Sequence, residues 1–468
     1  MKRLFSAFLL CVATLLTAAG ANPPANDLPC LWQFDKARHE ANAATFVEAG
    51  ILYSDNRPEA TLRYVRAACD ASRDVVRTLG KSHNPTVRCG AAGDYWLFTV
   101  PVDSLAAGER IGVDFLFGGE ASATKYYRLE YFEQERWHPA GKLLRAPEDP
   151  GVRYTHRLFA SGKNNSYKVF GTIRLDRPIV RDTLRIRWVQ AGNLRADDGR
   201  AVPPDSIGNS GFYNAHGLGA YLRRLGSEPL AQPRKVLFIG NSYTYYNLMP
   251  GIVRELAGCE GHDLHIEMFT IGGCTMERHL KQADCRDLID RGGYDFIVLQ
   301  DQSLHPALIG TPDDNGIVRQ MGAIIDYAKG RNPKAKALIE MTWGRRDGYT
   351  ADKYAYDFLT TYGAMQERIR VNVLAEASAT EAGCIPVGVA WSRVRAERPD
   401  IELYVRDGSH PSYAGSYLAA AVTCVSLTGE AFGATPSDGL LDPATAAYLR
   451  RVAQESVLGM QREYGLKE

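Results

Sequence analysis

A doubly wound α/β domain on a five-stranded parallel sheet, preceded by a mostly β, sandwich-like N-terminal domain, is the fold class the sequence predicts. Three observations predict it. Short runs rich in Tyr, Phe, Val and Ile fill residues 94–188, and several alternate apolar with polar residues, the pattern of half-buried strands. After Pro233, short continuous apolar runs alternate with segments of helical spacing, as buried parallel strands and their crossover helices require. The chain's 468 residues, 45% hydrophobic and 23% charged, suffice for more than one full core.

Taken in order, the chain opens with Lys2 and Arg3, an apolar run over residues 4–16 and the small-residue stretch Ala18-Ala19-Gly20-Ala21. This is the pattern of a secretory signal peptide cleaved after Ala21, so the expected division is 1–21 signal peptide, 22–230 sandwich-like domain and 231–468 α/β domain. Cys11 lies inside the apolar run, behind Phe8-Leu9-Leu10, without the small residues that lipid attachment needs. No later segment has the length of an apolar membrane helix. The mature chain is therefore expected to be secreted or periplasmic, with no integral membrane segment. Lys plus Arg number 55 against 54 Asp plus Glu; with no excess of positive charge, nucleic acid is not an expected partner and a neutral or weakly charged small substrate fits better.

Eight cysteines remain beyond the signal: Cys30, Cys69, Cys89, Cys259, Cys274, Cys285, Cys384 and Cys424. An exported chain can oxidise them, but Cys384 and Cys424 sit in apolar patterns where cysteine also serves as a small hydrophobe. Connectivity is not readable from spacing. None has zinc-ribbon spacing.

In the first domain, strands are expected at residues 95–100, 111–117, 126–132, 167–173 and 183–189, with Gly, Pro and Asp between them. Residues 59–79 fit either a helix or further strands. Tyr95, Trp96, Tyr126, Tyr127 and Trp137 fall at strand spacing, which suits core packing; a sugar-binding platform is the alternative. In the second domain, strands are expected at residues 236–239, 265–269, 296–299, 337–341 and 385–389. Helical patterns cover 249–256, 318–328, 354–377 and 413–427, and a last one covers 443–464.

In such a sheet the reactive groups belong beyond the carboxyl ends of the strands. The turn after the first strand reads Ile239-Gly240-Asn241-Ser242-Tyr243-Thr244. Ser242 is there either a nucleophile facing the crevice or a helix cap. The same tripeptide at Gly208-Asn209-Ser210 has no apolar strand before it and no amphipathic helix after it, and reads as a loop without chemistry. The second element is Arg406-Asp407-Gly408-Ser409-His410-Pro411-Ser412, just before a helical segment. A serine hydroxyl needs a histidine to take its proton, and the histidine needs an acceptor on its other nitrogen. Asp407 and His410 supply both from one loop; the alternative is an Asp-capped turn.

These residues resemble the SGNH hydrolase superfamily, also called the GDSL esterases, over roughly residues 233–429. The resemblance implies a flavodoxin-like sheet, Ser242 as nucleophile, His410 as general base and acid, and Asp407 as the orienting carboxylate, with no cofactor and no metal. It also implies an oxyanion hole formed by the Ser242 backbone, a glycine after the second strand and an asparagine after the third. Gly273 in Ile271-Gly272-Gly273-Cys274 fits the glycine. The third strand runs into Leu299-Gln300-Asp301-Gln302-Ser303, without an asparagine; Gln302 offers an equivalent side-chain N–H, and Gln300 is the runner-up. His262 and His265 have metal-like spacing but no third ligand nearby. His279 is expected beside the oxyanion glycine, either lining the pocket or on a helix face. Arg345 and Arg346, after the fourth strand, fit solvated surface or an anionic substrate group.

The expected function is an exported serine esterase removing O-acetyl or another small acyl group from carbohydrate through a Ser-His-Asp acyl-enzyme mechanism, with a small-molecule or polysaccharide ester as its substrate. Two alternatives remain: a glycan-binding protein with a decayed hydrolase domain, and an esterase or lipase acting on non-carbohydrate acyl esters.

Overall fold

The structure, a computed structural model, describes residues 28–33, 51–65, 76–79, 85–88, 92–120, 126–140, 144–145, 152–154, 164–192, 201, 210–212, 219–227 and 232–467 except 350, 352, 434 and 435. The expected signal peptide lies outside them, as do Cys69, Cys89, Gly208 and Asn209.

Two antiparallel sheets form the first part of the chain. In one, Arg110–Glu120 pairs with Asn164–Arg174, Gly219–Arg224 and Ser210–Phe212. In the other, Ile179–Gln190 pairs with Tyr95–Leu105 and Tyr126–Glu133. Alternation with a period of two turns Phe98, Val113, Phe115, Trp188 and Leu222 from both sheets into one core. This is the expected sandwich. Trp96 and Tyr127, two of the platform candidates, are 2% and 5% exposed and belong to that core. Tyr95 and Trp137 pack about the Arg187 guanidinium, 4.9 and 4.1 Å from their rings; the side chain of Tyr126 lies outside the described residues. The ambiguous stretch at 59–79 contains the strands Thr61–Val65 and Val76–Leu79. Ser210, expected in a loop, instead begins a short antiparallel strand opposite Gly119 and Val87.

The parallel sheet holds β1 (Arg234–Gly240), β2 (Leu264–Thr270), β3 (Phe296–Leu299), β4 (Lys336–Glu340) and β5 (Gly383–Ile385), in the order β2-β1-β3-β4-β5. Val236 and Phe238 of β1 enter one helix-covered core, Leu237 and Ile239 the other. Burial on both faces is why this strand reads as an unbroken apolar run. The helices are α1 (Ser242–Tyr245), α2 (Met249–Cys259), α3 (Met276–Leu280), α4 (Ala283–Asp290), α5 (His305–Leu308), α6 (Ile317–Arg331), α7 (Tyr362–Ala379), α8 (Val387–Glu397), α9 (Tyr413–Thr428) and α10 (Pro443–Val457). The order reverses at β1, which opens a crevice at its carboxyl end.

Three expected boundaries move. Residues 354–361 hold only the 3-10 turn Asp357–Leu359, and α7 starts at Tyr362 because the Thr361 side chain caps it. The last strand ends at Ile385: Pro386 stops the ladder and α8 begins at Val387. The final helix stops at Val457. Cys30, Cys259, Cys274, Cys285, Cys384 and Cys424 are free thiols. Among the described residues, no helix is long and apolar enough to cross a membrane.

The sandwich and the parallel-sheet domain meet through buried charge. Arg223 places Nε 2.9 Å from Asp114 and Nη1 2.9 Å from Glu255 on α2. Arg254, also on α2, pairs with Asp114 and donates to the carbonyl of Phe170 at 3.0 Å. Asp114 reaches α2 because Gly251 carries no side chain; a Cβ there would collide with the carboxylate.

Candidate active site

Ser242 stands at the first position of α1, directly after the turn that ends β1. The cap of that helix is Asn241, whose Oδ1 accepts from the Tyr243 N–H at 3.2 Å. With the capping role filled, the hydroxyl of Ser242 is left for other partners. Asn241 Nδ2 donates to the carbonyls of Asp301 at 3.0 Å and Cys274 at 3.4 Å, tying the turn to the loops after β3 and β2. Gln300 supports the same turn: its Oε1 accepts from the Asn241 N–H at 3.0 Å and from Thr244 Oγ1 at 2.9 Å. Gly240 is required by this crowding, since a Cβ would run into Thr244 Oγ1 and come within 3.0 Å of Gln300 Oε1.

His410 Nε2 lies 2.8 Å from Ser242 Oγ, and His410 Nδ1 lies 2.5 Å from Asp407 Oδ2. Asp407 accepts through Oδ1 from the N–H groups of Ser409 and His410 at 2.8 and 2.9 Å, and Gly408 takes a φ of 65° to close the loop. Burial would raise the pKa of Asp407, but the hydrogen bonds from the His410 side chain and from both backbone groups outweigh it and hold the carboxyl below its ordinary value. An ionised Asp407 accepts from Nδ1–H, which leaves Nε2 as the acceptor for the serine hydroxyl. The three residues converge across 168 positions of sequence.

A second tier, which sequence reasoning missed, braces this arrangement. The Tyr246 ring lies on the His410 ring with centroids 4.5 Å apart. Tyr243 OH is 2.7 Å from Ser409 Oγ, and Trp343 Nε1 donates to the Ser409 carbonyl at 3.1 Å. Trp343 is itself stacked between Tyr243 and Trp391, at 4.5 and 4.0 Å. The Tyr245 phenol, pushed up to about 12 by burial against the lowering effect of its hydrogen bond to Ser242, closes the other side of the nucleophile. The aromatic run Tyr243, Tyr245, Tyr246 was the available signal, since a turn that needs only a nucleophile needs no such run.

The oxyanion candidates separate clearly. Gly273 sits in a turn closed by the Cys274 N–H on the Ile271 carbonyl at 3.1 Å, with a φ of 62°. Among the described residues neither the Ser242 N–H nor the Gly273 N–H has an acceptor. Gly273 and Gln302 line one cavity of about 340 Å³. Gln302 Oε1 accepts from the Leu304 N–H at 2.7 Å; that bond fixes the amide orientation and leaves Nε2 for another acceptor. Gln300 is spent on the scaffold instead: its Nε2 donates to the Asp301 carbonyl while its Oε1 holds the Ser242 turn.

The remaining candidates lie elsewhere. His262 reaches Glu430 at 3.3 Å and His265 reaches Asp263 at 3.6 Å, so the pair does not converge. His279 is fully buried against Phe269 rather than on the cavity wall. Arg345 lines the cavity with Gly273, whereas Arg346 pairs outward with Asp347.

No protein-family model and no curated protein matches the sequence. Among solved structures the chain is similar to a DUF4886 family protein from Bacteroides uniformis, at 20% identity over 50% of this chain and 97% of that one, with a TM-score of 0.40. It is similar to a protein from Slackia heliotrinireducens provisionally described as an SGNH hydrolase, at 26% identity over 41% and 98%, TM-score 0.33. It is also similar to a carbohydrate esterase family 2 enzyme with a carbohydrate-binding domain from Corynascus thermopiles, at 11% identity over 79% and 98%, TM-score 0.33. By the order of its sheet, the serine turn after β1 and the Asp407–His410 loop before α9, the parallel-sheet domain has the SGNH fold.

Proposed function

We propose that the protein is an exported serine esterase that removes O-acetyl or another small acyl group from carbohydrate. The observation that carries the hydrolase reading is the continuous hydrogen-bonded line from Ser242 Oγ through His410 to Asp407, 2.8 Å and 2.5 Å long in its two steps. Ser242 Oγ attacks the ester carbonyl carbon as its proton passes to His410 Nε2. The oxyanion is met by the N–H groups of Ser242 and Gly273 and by Gln302 Nε2, and collapse expels the alcohol with the proton from His410. Water then repeats the sequence on the acyl-enzyme, with His410 again as base, and frees Ser242. Export rests on the basic, apolar and small-residue stretches of residues 1–21, and the carbohydrate reading on the pairing of such a site with a β-sandwich.

Steady-state hydrolysis of p-nitrophenyl acetate by the full chain and by Ser242→Ala tests the chemistry; equal rates would end the enzyme reading. Acetate release from a panel of acetylated polysaccharides tests the substrate class, and activity confined to long-chain acyl esters would count against carbohydrate.

A further inference from the structure

Arg345 is the cation the site leaves over. It follows β4 and lines the cavity that also holds Gly273 and Gln302, with His305, Tyr349 and Lys353 around it. Its neighbour Arg346 is neutralised by Asp347 at 3.1 Å and Glu402 at 3.7 Å. Arg345 has no carboxylate partner among the described residues, and its Nε is shielded from solvent with no hydrogen-bond acceptor. What holds it is an aromatic face: the guanidinium carbon lies 4.9 Å from the Tyr349 ring centroid. Lys353 is held the same way, 4.8 Å from Tyr354, and the two tyrosine rings are 6.0 Å apart. An aromatic face positions a cation without cancelling its charge. His305, by contrast, is already engaged by Asp301 at 3.1 Å. The described lining of the cavity includes no acidic side chain.

A guanidinium with no carboxylate partner among the described residues, on a cavity wall that also holds Gly273 and Gln302, is suited to a planar anion, which its outer nitrogens meet through two parallel hydrogen bonds. We propose that this cavity binds a carboxylate carried by the substrate, with Arg345 as its fork and Lys353 as a supporting charge, so that the preferred esters are acidic. The inference rests on the esterase reading above. It revises the expectation of a neutral substrate drawn from whole-chain charge: a near-zero net charge says nothing about one cavity wall.

Two matched pairs of substrates test it and locate the carboxylate. On the alcohol side, an O-acetylated polyuronide is compared with the same polymer after its carboxyl groups have been reduced to alcohols. On the acyl side, 4-nitrophenyl hydrogen succinate is compared with 4-nitrophenyl acetate. The wild-type enzyme should favour the charged member of one pair by roughly tenfold or more in kcat/KM, and raised salt should narrow that ratio. Arg345→Gln should bring the ratio close to one, and Arg345→Lys should retain part of it. A wild-type ratio near one on both pairs, or a ratio that Arg345→Gln leaves in place, overturns the proposal. Calorimetric titration of Ser242→Ala with a de-esterified polyuronide oligomer separates it from the esterase reading. If the wild type hydrolyses no ester, salt-sensitive binding that is lost on adding Arg345→Gln still supports the anion pocket, and absence of binding to any uronide or to succinate removes it.

Discussion

The Tyr246 ring lies flat on the His410 ring, 4.5 Å between centroids and 11° between planes. Tyr246 itself is fixed from outside the site, because its carbonyl accepts from Ser416 Oγ on α9 at 3.4 Å. The stack therefore couples the histidine to the helix that follows its own loop. Imidazole swing away from Ser242 is the motion it opposes.

Removing the ring should cost rate through geometry rather than through charge. Tyr246→Ala is expected to lower kcat on p-nitrophenyl acetate by about tenfold or more, because even about 1 Å of misplacement of a reacting group is costly. Tyr246→Phe keeps the stacking face and should stay close to wild type. Stopped kinetics on the two variants, with far-ultraviolet dichroism as a folding control, check the contrast.

Asp407→Asn should be damaging while leaving the loop nearly intact. An amide oxygen can still accept from the Ser409 and His410 N–H groups, but it cannot stabilise the imidazolium or fix the tautomer. In a buried triad this change costs about four orders of magnitude in kcat. The Asp407 side chain is 46% exposed, and water can partly replace it, so a loss of roughly two to four orders is expected, with KM little changed.

The two glutamines should fail differently. Gln302→Ala removes a side-chain donor facing the cavity and should lower kcat by about two to three orders of magnitude with an unchanged melting temperature. Gln300→Ala instead strips the acceptor from the buried Asn241 N–H and Thr244 Oγ1. Leaving buried donors unsatisfied costs about 1–3 kcal/mol each, so this variant should melt earlier. Differential scanning calorimetry beside kinetics separates the two roles.

This contrast also marks how much of the site was legible in sequence. Ser242 could be placed because it sits at a strand–turn–helix junction, and Asp407 and His410 because they share one short loop directly before a helix; hydrophobic periodicity reports both positions. Gln302 was put ahead of Gln300 by its distance from Leu299 alone, because two residues after one strand differ in which face of the turn they take, and that is decided by partners 59 and 2 positions away. The fold behaved in the same way. The five parallel strands announced themselves as apolar runs, but the end of β5 was decided by Pro386, and the start of α7 by the Thr361 cap. Least legible was Arg223: in the run Tyr221-Leu222-Arg223-Arg224 nothing distinguishes a fully buried arginine from its half-exposed neighbour.

Arg223 ties the sandwich to the loop that carries His410. It pairs with Asp114 and Glu255, and its Nη2 donates to the Asn247 carbonyl at 3.4 Å. Asn247 Nδ2 in turn donates to the Ser412 carbonyl and to Ser416 Oγ, at 3.1 and 2.9 Å, beside the His410 loop. Arg223→Ala leaves two buried carboxylates without this partner, and breaking a buried pair in this way costs about 3–5 kcal/mol. Thermal unfolding should show a large fall in melting temperature, and residues 231–468 expressed alone should be unstable. A separately folded, fully active C-terminal fragment would contradict this.

Glu340 supplies a pH signature independent of catalysis. It lies at the end of β4, fully buried, and neither carboxyl oxygen has a hydrogen-bond partner among the described residues. Burial alone pushes its pKa up to about 8. The sign follows from comparing folded and unfolded chains. Between the ordinary glutamate value of 4.5 and about 8 the unfolded chain has released this proton and the folded one has kept it, so each rise in pH favours unfolding by up to about 1.4 kcal/mol per unit. Glu340→Gln removes that penalty. The variant should melt a few degrees higher than wild type near pH 7.5 and lose most of that advantage near pH 4.5, where the wild-type carboxyl is protonated in the folded state and about half protonated in the unfolded one. Parallel melting curves from pH 4.5 to 8 check it, and a constant difference across that range would show that Glu340 finds a charge partner the buried site does not display.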